Sequence, residues 1–75
     1  MASTDEKLIR MVNQIASFFV TQPGDIATAK TSQHLHEFWD PSMIRQLGSL
    51  LDRTTEGLEP VALAAAQQVT QRTPA

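Results

Sequence analysis

Two histidines, His34 and His36, and the Asp40-Pro41-Ser42 step that follows them are the residues of this chain best placed to do chemistry. Two positions apart on a helix, the imidazoles would point in directions about 200° different, so they do not close on one metal ion. His34 aligns with Glu37 a turn later, but the di-metal pattern runs Glu-x-x-His, in the opposite order, and needs carboxylates from further helices. Cysteine is absent, which removes disulfides, thiolate zinc sites and iron–sulfur clusters ligated in the usual way. Nucleophilic catalysis needs a hydroxyl or thiol positioned by a base, and 75 residues offer no pocket-sized core in which to shift the pKa of that base. The expectation is no catalytic, cofactor-binding or metal-binding residue, and hence no enzyme acting alone.

One small-protein class needs separate treatment. Acyl carrier proteins are also acidic, four-helical and short, with the prosthetic serine directly after an aspartate at a helix start. Here Pro41 intervenes between Asp40 and Ser42, and the attachment motif is broken.

The elements that hold these residues read as helices throughout. Ser3 and Glu6 have capping-box spacing, and Asp5 and Glu6 favour the positive end of a helix dipole, so a first helix is expected from near Thr4. Leu8, Val12, Ile15 and Phe19 form its apolar stripe, which stops at Thr21-Gln22-Pro23-Gly24. Asp25 is a candidate cap for a second helix, but Thr28, Thr31 and Ser32 are poor interior residues, so only Ser32 to Trp39 has a clear apolar face. Asp40-Pro41 opens a third helix, expected to reach Arg53, with a stripe of Met43, Ile44, Leu47, Leu50 and Leu51 interrupted by Gly48. Glu59-Pro60 opens an alanine-rich fourth segment running to about Thr70, expected to hold weakly because alanine buries little area. No alternating strand pattern appears. The predicted fold class is all-α, a single domain over 1–75 built as a small bundle of three to four short helices, with 1–3 and 71–75 frayed.

A bundle of this size leaves apolar surface over. The first helix has Met11 and Phe18 on one flank of its stripe and Ile9, Ala16 and Val20 on the other, an arc of roughly 200° against the 100° a surface helix needs. Either the neighbouring helices cover both flanks, making this the central helix, or Phe18, Met11 or Ile9 stays exposed for a partner. Phe38-Trp39 is the densest aromatic stretch, at a helix-to-helix corner; one ring facing inward to close the bundle and the other outward to anchor a partner satisfies both uses. With a net charge of -2 and scattered Lys7, Arg10, Lys30, Arg45, Arg53 and Arg72, nucleic acid is excluded as a partner. The acidic N-terminus and the lack of ~20 consecutive apolar residues argue against a secretory signal or membrane span, and a cytoplasmic location is expected.

Several blocks together carry a family resemblance. Lys7-Leu8-Ile9, Asn13-Gln14-Ile15, Phe18-Phe19, His34-Leu35 before Phe38-Trp39-Asp40-Pro41, Met43, Arg45-Gln46-Leu47 and Gly57-Leu58-Glu59-Pro60 resemble the delta subunit of NAD-dependent molybdenum formate dehydrogenase. The His-x-x-x-Phe-Trp-x-Pro block is the most specific. Ser42 and Ile44 stand where arginines are expected, which confines any anionic contact through that block to Arg45, and nothing after Pro60 matches.

The resemblance implies an accessory, noncatalytic subunit of a complex that interconverts formate and carbon dioxide with NAD. In such complexes bis-molybdopterin guanine dinucleotide, iron–sulfur clusters and FMN sit in larger subunits, with alpha, beta and gamma chains as partners. It is expected to dock on the molybdenum-bearing alpha subunit and stabilise it, through Met11, Phe18, Phe19, His34, Phe38, Trp39, Pro41, Met43 and Arg45. The alternative in the same setting is a transient assembly chaperone that binds the alpha subunit during cofactor insertion.

Overall fold

A computed structural model describes residues 4–71 of the chain. Ser3 of the expected capping box, the termini 1–3 and 72–75, and Arg72 lie outside the described residues. Four helices follow in order: α1 (Thr4–Ser17), α2 (Gly24–Phe38), α3 (Pro41–Arg53) and α4 (Pro60–Val69). The fold is an all-α bundle.

The first helix is shorter than its stripe implies. It ends at Ser17, whose hydroxyl donates to the Gln14 carbonyl at 2.5 Å. The amides of Phe18 and Phe19 then bond the carbonyls of Ile15 (3.1 Å) and Ala16 (2.9 Å), three residues back, so the chain tightens into a turn. Two aromatics followed by the β-branched Val20 and Thr21 are the part of the run with least to gain from helix.

The second helix is longer than expected, starting at Gly24 and not at Ser32. Pro23 takes the cap position and Asp25 sits inside the first turn, with no side-chain cap. Thr31 is fully buried, and its hydroxyl donates to the Ala27 carbonyl at 2.7 Å, so a poor helix former is held without an unmet polar group. Tertiary packing sets this element, and propensity does not.

That packing is against α4. The alanine helix shares its largest interface with α2 and touches α1 and α3 as well. Ala62, Ala65 and Ala66 are all fully buried. The expectation of a weakly held last helix is therefore overturned: small side chains bury little area each, but they let three helix axes approach closely around one. α1 also packs on the other three helices, so α4, with the largest interface, shares the centre with it.

The core gathers Leu8, Val12 and Ala16 of α1, Leu35 of α2, Trp39 at the corner, Leu47 and Leu50 of α3, and Ala62 and Ala66 of α4. Gly48 of α3 is buried. At both Asp40-Pro41 and Glu59-Pro60 proline occupies the first helical turn and the acid is the cap residue in extended backbone, yet neither carboxylate caps an amide. Ser42 instead donates its hydroxyl to the Asp40 carboxylate.

Asn13 fastens the loop from Thr54 to Glu59 to α1. Asn13 Nδ2 donates to the Gly57 carbonyl at 2.8 Å, and Asn13 Oδ1 accepts from the Glu59 amide at 3.0 Å. Gly57 has φ of 90°, a conformation that favours glycine, and a Cβ there would stand 3.3 Å from Ile9 Cγ2, close enough that the Ile9 side chain would have to give by a few tenths of an ångström. Farther along, Arg53 and Asp5 meet at 2.7 Å and tie the end of α3 to the start of α1.

Candidate docking surface

The nine residues expected to face a partner fall into three groups. Met11 and Met43 are half-buried and pack on the core. Trp39 is also a core residue, only 8% exposed, so any outside contact it makes is limited to a ring edge. Phe38 and Phe18 are each 71% exposed, the most exposed large apolar side chains among the described residues. The Phe38-Trp39 pair thus splits, one ring out and one in, because a helix advances by about 100° per residue.

Phe38 stands at the end of α2, where its ring lies 4.7 Å from that of His34, tilted by 36°. Phe19, from the turn after α1, lines the same shallow groove, together with Lys30, Gln33 and Glu37. Gln33 donates to the Glu37 carboxylate at 3.1 Å across one turn. The result is an aromatic patch in which Phe38 is exposed and Phe19 and His34 are half-buried, with one base and one acid beside it. Val20 and Ile26, which were not among the expected residues, are 50% and 41% exposed and add apolar surface around the α1–α2 connection.

Pro41 and Arg45 fall in a different groove. It is lined by His36, Trp39, Pro41, Ile44 and Arg45 at the α2–α3 corner. His36 and Ile44 were not among the expected residues; the spacing of Ile44 after Pro41, on the first turn of a proline-started helix, is a signal for Ile44, whereas His36 lies in the last turn of α2 and reaches this groove only through the fold. His34 and His36 line separate grooves. Among the described residues no three His, Cys, Asp or Glu side chains gather where a metal ion would sit. No helix among them is long and apolar enough to cross a membrane.

Phe18 and Phe38 are thus the most exposed large apolar groups among the described residues of a four-helix bundle. Over residues 7–66 the chain matches the model of the NADH-dependent formate dehydrogenase delta subunit family, and it belongs to that family. The match passes Pro60, where the resemblance read from sequence stopped, and takes in the buried alanines of α4. No curated protein and no solved structure matches the chain. As a delta subunit of an NAD-dependent formate dehydrogenase complex, it has other subunits as its partners.

Proposed function

We propose that the chain is a noncatalytic accessory subunit, located in the cytoplasm, that docks on the molybdenum-bearing alpha subunit and stabilises it. The observation that carries this reading is the exposure of Phe18 and Phe38, each at 71%, the most exposed large apolar side chains among the described residues, beside Val20 and Ile26 at 50% and 41%. Burying a single phenylalanine removes ~150–250 Å² of surface from water, so two left open represent a substantial unused driving force for association. The cofactors of the complex belong to its other chains on this reading: a cysteine-free sequence has no thiolates for an iron–sulfur cluster.

The test is the affinity of the purified chain for formate dehydrogenase lacking its delta subunit. Phe38→Ser is expected to weaken binding by about 2 kcal/mol, the threshold of an interface hot spot, with helical content unchanged. An unaltered dissociation constant for both Phe38→Ser and Phe18→Ser would refute the assignment.

A further inference from the structure

The groove at the α2–α3 corner is separate from the aromatic patch and has a different character. It is lined by Trp39, Pro41 and Ile44 together with two ionisable side chains, His36 and Arg45. No carboxylate lines it. The nearest acid in sequence, Asp40, is engaged by the Ser42 hydroxyl, and the first turn of α3 contains no acidic residue. Arg45 is exposed and forms no ion pair with an acid of the described residues. It lines this groove and also the neighbouring one between α1 and α3 that holds Asp5 and Arg53, which are paired with each other, and it stands near the positive end of α3.

We propose that this groove receives a short acidic segment of a partner subunit, in which a carboxylate side chain is adjacent to an aliphatic or aromatic one. The inference rests on the docking reading above and adds to it a second contact with its own chemistry. The apolar side chain lies on Trp39, Pro41 and Ile44, and the carboxylate meets Arg45, whose planar fork matches two carboxylate oxygens at once. At about 330 Å³ the groove is at the lower limit of ligand sites, sized for a side chain or two and not for a helix.

Three variants of the full chain, Arg45→Gln, Arg45→Lys and Phe38→Ser, are titrated into delta-free formate dehydrogenase at low and high salt. Arg45→Gln is expected to weaken binding at least ~10-fold at low salt and to flatten the salt dependence, while Arg45→Lys recovers only part of the loss. A photo-crosslinker at position 44 is expected to label a partner peptide containing Asp or Glu next to an apolar residue. If Arg45→Gln binds as tightly as the parent, with the same salt dependence, while Phe38→Ser fails to bind, the acidic-segment proposal is overturned and the docking reading survives. If neither variant loses affinity, both fall. Labelling of a basic or uncharged peptide overturns the proposal even should Arg45→Gln misfold.

Discussion

Replacing Asn13 with alanine removes two hydrogen bonds that join positions 44 and 46 residues apart in the chain. Asn13 is half-buried, and each bond is worth about 0.5–1.5 kcal/mol net, so the gross loss is about 1–3 kcal/mol. Alanine recovers up to ~0.7 kcal/mol through its better helix propensity. The expected net destabilisation is about 0.3–2.3 kcal/mol. In a domain of this size each kcal/mol shifts the melting midpoint by about 4–8 °C, so Tm should fall by roughly 1–18 °C. Thermal and urea unfolding followed by far-UV circular dichroism measures both quantities. Asn13→Asp separates the clasp from a general effect of substitution: it keeps the acceptor for the Glu59 amide but turns a carboxylate oxygen toward the Gly57 carbonyl, where Asn13 donates. It should therefore be no more stable than the alanine variant at neutral pH. An Asn13→Ala protein within ~0.3 kcal/mol of the parent, or an Asn13→Asp protein as stable as the parent, would show that the loop does not depend on this side chain.

Trp39→Ala should cost about 3–5 kcal/mol, comparable with the whole stability of a small domain, and abolish the cooperative urea transition. That makes Trp39 unsuitable for testing docking and Phe38 the informative aromatic. Ala65→Leu places a large side chain where α4 is fully buried and should destabilise by about 1–3 kcal/mol in the same assay; a neutral result would mean that α4 is not tightly surrounded.

The helix class was legible because apolar spacing and the two acid-proline starts are local signals. Asp40-Pro41 and Glu59-Pro60 stand at the observed starts of α3 and α4. What local signals miss is the effect of neighbours. Thr28, Thr31 and Ser32 argue against helix when only propensity counts, but Thr31 faces the interior and satisfies its hydroxyl on Ala27. The alanines of α4 look like weak anchors by area, yet a helix without bulky side chains can approach α2 over a long interface while still touching α1 and α3. Asn13 and Gly57 read as separate polar and flexible positions until the fold brings them within 2.8 Å.

The same limit governs the candidate docking surface. Within the block from His34 to Pro41, Leu35 and Trp39 turn inward and Phe38 turns outward, a division that follows from helical phase once the buried side is known. Sequence could nominate the block but not divide it, because residues that build a bundle and residues that bind a partner are drawn from the same apolar and aromatic types. Leu35, Trp39 and Leu47 lie in the core, and Asn13 and Gly57 are accounted for by the clasp. Folding of the isolated chain has no comparable use for Phe38 and Arg45. On the proposed docking reading, those two positions are where the requirements of folding and of assembly come apart, and substitutions there are expected to change association while leaving the bundle intact.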